Sequence, residues 1–206
     1  MINLMNIDCM EAMKEAPDNH WDLAIVDPPY GIGELVHDKT GTLAEKTKKR
    51  LKTEKWNSSF PKPKYFQELM RVSKNQIIWG ANYYPNMMGG RIVWYKHVKA
   101  PNFSKCEIAY TSMHKKVEYI DLIWQNVNRK EPIIHPCQKP SSLYTLLLNR
   151  YAKQGDKILD THIGSGSIAV ACHDMGFSLD GFEIDKEYFQ AAKKRLKRHQ
   201  RQLKLF

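Results

Sequence analysis

Short apolar runs alternate along the chain with longer stretches of helical periodicity. Seven runs have the length and composition of buried strands: residues 23–26, 76–79, 91–95, 107–111, 117–124, 157–160 and 179–183. Apolar residues at helical spacing predict helices over residues 8–16, 65–70, 141–152, 167–176 and 186–204. Strands and helices that alternate in this way predict a three-layer α/β fold with a mostly parallel sheet.

Finer predictions concern turns and loops. Residues 112–116 separate two β-rich runs, so residues 107–111 and 117–124 are expected to form an antiparallel hairpin. Ser141 or Ser142 is the expected cap of the leucine-rich helix, and Gly155 is its expected stop. Residues 34–63 have no steady apolar period and predict a long loop.

Two unusual segments follow predicted strands. The tetrapeptide Asp-Pro-Pro-Tyr at residues 27–30 (the DPPY segment) follows the first strand, and a glycine-rich turn at residues 163–167 (the glycine loop) follows the strand at 157–160. Open α/β sheets bind ligands beyond the carboxyl ends of their strands. The positions of the two segments therefore predict one shared site.

The DPPY segment combines groups that suit a planar ligand with an amino group. Two prolines remove backbone donors and stiffen the exit of the strand, which brings a carboxylate, a free carbonyl and an aromatic ring together. An amino group could donate to the Asp27 side chain and the Pro28 carbonyl, while Tyr30 stacks on the ring. A chance strand and turn with this tetrapeptide is the alternative.

The glycine loop suits a different part of a ligand. Gly164 and Gly166 let a ligand approach the backbone, and the helix that follows offers free N–H groups. Glu183 ends the next predicted strand, where a carboxylate can accept hydrogen bonds from ribose hydroxyls. The set indicates an adenosine-bearing ligand. In the alternative interpretation the glycines only form a turn, and Glu183 and Asp185 only cap the last helix.

Composition adds a polyanionic partner to this picture. The chain has 206 residues, 42% of them apolar, and a formal charge of +10. Lysines and arginines cluster in residues 39–55 and 193–204, although such clusters can also be solvated faces. The length fits one domain. The absence of long apolar runs and of a basic leader predicts a cytosolic protein, and four widely spaced cysteines predict reduced thiols.

These motifs resemble the amino-group DNA methyltransferases, whose marks are a DPPY-type motif and a glycine-rich cofactor loop. DPPY comes first here, followed by HPxQKP at residues 135–140, LDTHIGSGS at 159–167 and GFEIDKEYF at 181–189. This order is that of the permuted group usually called beta, and the resemblance covers nearly the whole chain. It implies a Rossmann-like, S-adenosylmethionine-dependent methyltransferase fold with a seven-stranded, mostly parallel sheet and an antiparallel hairpin.

The resemblance also assigns roles to residues. It divides the single domain, residues 1–206, into a catalytic half (1–130, with the basic loop 34–63) and a cofactor-binding half (131–206). The implied catalytic residues are Asp27, Pro28, Pro29 and Tyr30. The implied residues for S-adenosylmethionine are Asp8 at the adenine, Glu183 at the ribose, Asp160, Gly164, Ser165 and Gly166 at the methionine part, and Pro136, Lys139 and Ser141 closing the pocket. A plain helix cap is the alternative for Asp8, and a solvated loop is the alternative for His135 and Lys139.

The implied reaction moves a methyl group to an exocyclic amino group of a base in double-stranded DNA, after the target nucleotide leaves the stack. Asp27 and Pro28 would position the amino group, and no metal is required. The basic loop is the candidate DNA contact because lysines pair with phosphates. Its candidate residues are Lys46, Lys48, Lys49, Arg50, Lys52 and Trp56, with an anchoring role as the alternative for Trp56.

Several alternatives stay open. Aspartate as the first motif residue favours N6 of adenine over N4 of cytosine, and a catalytically inactive nucleic-acid-binding module is an alternative from another class. Thr161 and His162 stand where many relatives have Pro-Phe, and His162 as a general base is a further alternative. The resemblance implies a cytoplasmic, bacterial or phage-encoded protein, and leaves open a homodimer and a cognate restriction endonuclease.

Overall fold

The computed structural model describes residues 1–31, 60–98, 104–124, 134–135 and 137–202. Within these ranges the strands are β1 (Ile2–Met5), β2 (Trp21–Val26), β3 (Ser73–Trp79), β4 (Gly90–Tyr95), β5 (Cys106–Thr111), β6 (Val117–Asp121), β7 (Lys157–Asp160) and β8 (Ser178–Phe182). The helices are α1 (Cys9–Glu15), α2 (Pro63–Val72), α3 (Ser141–Tyr151), α4 (Ser167–Met175) and α5 (Lys186–Gln200). None of these described helices is long and apolar enough to span a membrane.

The described strands form one sheet in the order β1-β8-β7-β2-β3-β5-β4-β6. Neighbouring strands pair in parallel, except that β5 is antiparallel to both β3 and β4. The carboxyl ends of the other strands therefore lie at one edge of the sheet, together with the amino end of β5. We call this the carboxyl edge, and it carries the candidate site.

The sheet confirms the predicted fold class and corrects two details. The predicted hairpin of residues 107–111 and 117–124 is wrong, because β4 lies between β5 and β6 and pairs with both. The alternating burial of β4, with Ile92 and Trp94 fully buried, supplies the partner surface that each flanking strand needs. The sheet also has eight strands rather than seven. The additional strand, β1, is a short and partly exposed edge strand, so its apolar pattern is weak.

Helices cover both faces of the sheet. Leu23 and Ile25 of β2 face a core that includes α3, α4 and α5, whereas Ala24 and Val26 face a core that includes α1 and α2. Because successive side chains of a strand point to opposite faces, an unbroken apolar strand such as β2 serves both layers. The three-layer α/β architecture is thus explained by burial on both faces.

The helix ends differ in part from the predictions. Asp8 caps α1, because its side chain accepts a hydrogen bond from the Met10 backbone N–H at 2.8 Å. The expected cap of α3 by Ser141 or Ser142 is wrong: Pro140 occupies the cap position in an extended conformation, without a side-chain cap bond, and Ser141 is the first helical residue. The fixed φ of proline stiffens the chain at that point, which gives the helix a defined start without a polar cap.

Candidate active site

Asp27 directly follows β2, and its carboxylate is held by two side chains. The Tyr30 hydroxyl donates to one carboxylate oxygen at 2.5 Å, and the Lys139 ammonium donates to the other at 2.5 Å. Lys139 Nζ also lies 3.2 Å from the Tyr30 hydroxyl oxygen. The HPxQKP segment and the DPPY segment, far apart in the sequence, therefore meet at one carboxylate.

Lys139 has a second carboxylate partner in Glu107, at the amino end of β5. Its Nζ lies 3.0 Å from Glu107 Oε2, and the ammonium of Lys96, just beyond β4, lies 2.8 Å from Glu107 Oε1. The Lys139 side chain is only 3% exposed. We call Asp27, Lys139, Glu107 and Lys96 the ionic cluster. It contains two carboxylates and two ammonium groups, so its formal charges balance.

The pKa values in the ionic cluster reflect burial and pairing. Burial raises the pKa of Asp27, and Lys139 only partly opposes this. Burial also disfavours the charged forms of Glu107 and Lys139, but their partners outweigh it, so the pKa of Glu107 is lowered and that of Lys139 is raised. The cluster therefore keeps its lysine charged beside a carboxylate that has unusual affinity for a proton.

The ring of Tyr30 is fixed by three neighbours. Tyr83 stacks on it, with centroids 5.1 Å apart and an interplanar angle of 18°, and Tyr84 contacts it edge-on. Gly80 leaves room for the ring, because a Cβ at that position would lie 2.4 Å from Tyr30 Cε1. A base that stacks on Tyr30 has to use the face that Tyr83 leaves open or displace Tyr83, which is 40% exposed.

The Pro28 carbonyl is not free, as the sequence suggested it would be. It accepts a hydrogen bond from the Tyr84 hydroxyl at 2.8 Å, and the same hydroxyl lies 3.0 Å from the Pro29 carbonyl oxygen. Prolines remove donors but leave acceptors, and the single proton of a buried tyrosine hydroxyl is shared between these two carbonyls, with the shorter distance to Pro28. A carbonyl oxygen has a second lone pair, so the Pro28 carbonyl can still accept from a ligand.

Arg195 of α5 holds the glycine loop by hydrogen bonds. This buried guanidinium donates to the Ser165 carbonyl at 3.0 Å and to the Ser167 hydroxyl at 2.9 Å. The Ser167 hydroxyl donates in turn to the Lys139 carbonyl at 2.6 Å, which links the loop to the ionic cluster. Gly166, with φ of 75°, precedes α4, and a Cβ there would lie 3.1 Å from Ala192 Cβ.

Two carboxylates flank the glycine loop. Glu183 accepts from the Gly164 N–H and from the Asp185 N–H, both at 2.9 Å, and burial raises its pKa. Asp160 ends β7, is 2% exposed and accepts from the His162 N–H at 2.9 Å. Burial raises the pKa of Asp160 to about 8. The loop is thus bordered by two acidic groups that retain unused lone pairs.

The Thr161 and His162 side chains join a polar contact with α2. The Thr161 hydroxyl lies 2.6 Å from the Tyr65 hydroxyl oxygen and 2.9 Å from His162 Nδ1. Burial lowers the pKa of His162 to about 4, so the imidazole is neutral at physiological pH. These contacts explain how the loop tolerates a polar pair here. A general-base role for His162 stays a prediction.

Comparison with known proteins connects this geometry to a family. The N6_N4_Mtase sequence profile, described as DNA methylase, matches residues 55–194, which is more than half of the chain. The chain belongs to this family of DNA methylases. The Type II methyltransferase M.HpaI of Haemophilus parainfluenzae is 26% identical to this methylase, in an alignment that covers 92% of the present chain and 72% of M.HpaI. The recognition of an amino-group DNA methyltransferase from the sequence motifs is confirmed.

Solved structures of low sequence identity share the fold of this methylase. The structure of M1.HpyAVI in complex with SAM superposes with a TM-score of 0.59 at 23% identity, covering 95% of this chain and 100% of that one. The cytosine-N4-specific PvuII DNA methyltransferase superposes with a TM-score of 0.62 at 13% identity, covering 94% of this chain and 86% of that one. The Rossmann-like methyltransferase fold is therefore confirmed.

The structure brings most of the predicted site residues of the methylase to the carboxyl edge. The DPPY residues gather around the end of β2, and Asp160, Gly164, Ser165, Gly166 and Glu183 gather around the ends of β7 and β8. The ammonium of Lys139, a residue that the resemblance assigned to the cofactor pocket, donates to Asp27, and the Lys139 carbonyl accepts from the Ser167 hydroxyl beside the glycine loop. Asp8 makes the cap bond of α1. Pro136 and the basic-loop candidates Lys46, Lys48, Lys49, Arg50, Lys52 and Trp56 lie outside the described residues.

Four residues of the site were missed at the sequence level: Lys96, Glu107, Tyr84 and Arg195. Glu107 begins a β-rich run and Lys96 ends one, and a charge at a strand end is ordinarily solvated. Arg195 carried a usable signal. It lies on the buried face of α5 with Phe189, Ala192 and Leu196, where helical spacing predicts an apolar residue.

Proposed function

We propose that this methylase transfers a methyl group from S-adenosylmethionine to the exocyclic N6 amino group of adenine in double-stranded DNA. The observation that carries the proposal is the Asp27 carboxylate, held by Tyr30 and Lys139 at the carboxyl edge beside the glycine loop. An amino group presented there meets a carboxylate, a carbonyl and an aromatic ring. A duplex base reaches such a buried site only after it leaves the stack.

Asp27 is proposed to fix the amino group for transfer. One N–H bond of the amino group donates to the carboxylate and the other to the Pro28 carbonyl, which directs the nitrogen lone pair toward the cofactor side of the site. The carboxylate also stabilises positive charge that develops on the nitrogen during transfer. Its raised pKa suits a group that takes up the proton released by the methylated nitrogen.

The residues around the glycine loop fit the proposed cofactor. The loop opens α4, so the first N–H groups of this helix lie at its N-terminus beside the loop. Asp160 is a buried carboxylate that a cationic ligand would stabilise in its ionised form, and Glu183 retains lone pairs for ribose hydroxyls. S-adenosylmethionine, when bound, supplies an electrophilic methyl group on a positively charged sulfur.

Contact with DNA is proposed for the basic loop. Lys46, Lys48, Lys49, Arg50 and Lys52 would pair with phosphates, and Trp56 would stack or wedge beside the extruded base. The overall formal charge of +10 supports a polyanionic substrate. Because the proposed phosphate contacts release counterions, affinity for duplex DNA should fall steeply as salt concentration rises.

Adenine is proposed as the base because aspartate begins the DPPY segment. Cytosine N4 is the second candidate, since the fold is shared with the cytosine-N4-specific PvuII enzyme. The two bases present amino groups of the same chemistry, and Asp27 can accept from either.

Nucleoside mass spectrometry of DNA from cells that express the protein tests this proposal. N6-methyladenine is expected above the level in cells that carry an empty vector. N4-methylcytosine in its place would support the second candidate and contradict adenine. DNA that gains neither nucleoside would contradict the proposed activity.

A further inference from the structure

The position of Lys139 between two carboxylates raises a question about acceptor strength. Its ammonium lies 2.5 Å from Asp27 Oδ2 and 3.0 Å from Glu107 Oε2. An ammonium that paired with Asp27 alone would neutralise the group that the proposed reaction needs as a hydrogen-bond acceptor. Glu107 competes with Asp27 for this ammonium, because both carboxylates attract the same cation, and the charge of Asp27 is therefore neutralised less completely.

Glu107 is itself held in place. Lys96 donates to its other carboxylate oxygen at 2.8 Å, and the Lys96 side chain is only 9% exposed. Lys96 therefore supplies the charge that lets a second carboxylate remain ionised so close to Asp27. The antiparallel direction of β5 makes this possible, because it brings the amino end of β5 to the carboxyl edge beside β4.

We propose that Glu107 is a positioning residue, which holds the Lys139 ammonium between two carboxylates so that Asp27 keeps its strength as acceptor for the target amino group. Lys96 anchors Glu107 in this arrangement. The inference rests on the proposed function and extends it to two residues outside the recognised motifs. It also assigns a role to the Lys139 side chain that differs from contact with the cofactor.

The competing explanation is that the Lys96 and Glu107 pair only stabilises the fold. The two explanations differ for a double variant, Lys96→Met with Glu107→Gln, which removes both charges together and keeps the formal charge of the ionic cluster balanced. If the pair only stabilises the fold, this balanced variant should transfer methyl groups normally once it is folded. If Glu107 positions Lys139, the transfer step itself should slow.

The test measures single-turnover transfer of labelled methyl groups to duplex DNA, at saturating cofactor and DNA, beside separate dissociation constants for both. The double variant is expected to transfer about 10- to 100-fold more slowly, because misplacement of a positioned group has costs of that size. Its dissociation constants are expected to stay within about twofold, as for interactions made chiefly in the transition state. The single variant Glu107→Gln should likewise transfer more slowly with nearly unchanged dissociation constants.

The matched control is the double variant Lys116→Met with Glu118→Gln. Lys116 directly precedes β6 and Glu118 lies on it; their charged groups are 2.7 Å apart, and the Lys116 side chain is 69% exposed. That double variant should transfer at the wild-type rate. Methyl transfer by the Lys96→Met and Glu107→Gln double variant at the wild-type rate would overturn the inference. Loss of cofactor binding in this variant would also overturn it, because the pair would then stabilise the fold rather than position Lys139. If the wild-type protein and the Lys96/Glu107 double variant transfer methyl groups to DNA at the same rate, only the inference about Glu107 fails. If wild-type protein transfers nothing, the proposed function fails as well.

Discussion

The ionic cluster and the glycine loop lie at the same edge of the sheet but are built in opposite ways. In the ionic cluster, side chains of the residues just beyond β2 and β4, at the start of β5 and in the HPxQKP segment contact each other directly. In the glycine loop, backbone groups would face the proposed cofactor, while Glu183 and Arg195 hold the loop by its N–H and carbonyl groups. One region depends on balanced charge, and the other depends on the shape of a short stretch of backbone.

This difference predicts how each region fails. Loss of one charge in the ionic cluster leaves another buried charge without its partner, and the penalty falls on stability as well as on transfer. Loss of one support of the glycine loop leaves the charges elsewhere intact and alters mainly the surface offered to the cofactor. Substitutions in the two regions should therefore separate, with stability most affected in the first and cofactor affinity in the second.

The largest effect is expected for Lys139→Met. This change leaves Asp27 and Glu107 as two buried carboxylates without their shared cation, so the free energy of unfolding should fall by about 3–5 kcal/mol. Urea denaturation measures the change. Lys116→Met, at an exposed lysine, is the control and should cost no more than about 1 kcal/mol. Equal stability of the two variants would contradict the view that Lys139 balances the cluster.

A smaller effect is expected for Arg195→Met, which keeps the length of the side chain in the core and removes its bonds to the glycine loop. Loss of these bonds should lower the free energy of unfolding by about 1.5–3 kcal/mol and weaken cofactor binding about tenfold. Isothermal titration with S-adenosylmethionine measures the affinity. Arg198→Met, at an exposed position of α5, should bind like wild type. A dissociation constant for Arg195→Met that matches this control would show that the loop does not need the guanidinium.

The effect that is smallest for each measured step is the change of stability with pH at Asp160. Its folded-state pKa of about 8 lies above the ordinary value for aspartate, so the native protein retains a proton that the unfolded chain releases. The stabilising contribution of that proton is therefore complete below about pH 4 and is lost as the pH rises toward 8, by at most about 1.4 kcal/mol per pH unit. Asp160→Asn keeps an acceptor for the His162 N–H and removes the titration.

Urea denaturation of both proteins at pH 5, 6 and 7, without cofactor, checks this expectation. The stability of Asp160→Asn relative to wild type should increase with each step in pH. The difference between the proteins cancels the contributions of titrating groups that do not interact with Asp160. Parallel pH profiles would mean that Asp160 is ionised in the native state.

The same contrast explains what the sequence could predict. The glycine loop and the DPPY segment consist of consecutive residues, and each follows a strand that its apolar run identifies, so their place at the carboxyl edge could be predicted. Most strands and helices were predictable for the same reason, because their burial follows a regular period. Asp160 ends β7 and Glu183 directly follows β8, both next to the glycine loop, so these two residues were predicted together with the loop.

The ionic cluster could not be predicted in this way, because its contacts depend on the order of strands in the sheet. Glu107 reaches Lys139 only because β5 lies next to β3 and runs against it, and the expected hairpin of β5 with β6 gave a different neighbour. The contact between the Tyr84 hydroxyl and the Pro28 carbonyl likewise depends on the turn after β3. Local motifs identify the residues with reactive side chains, but the order of the strands determines which charged side chains form ion pairs.

The central claim, that Asp27 holds the amino group during methyl transfer, is tested most directly with Asp27→Ala. Transfer of labelled methyl groups from S-adenosylmethionine to duplex DNA is measured for this variant and for wild type, at matched cofactor occupancy. Wild type should label the DNA, and Asp27→Ala should do so about 100- to 1000-fold more slowly while it still binds the cofactor. Labelling by Asp27→Ala at the wild-type rate would contradict the claim.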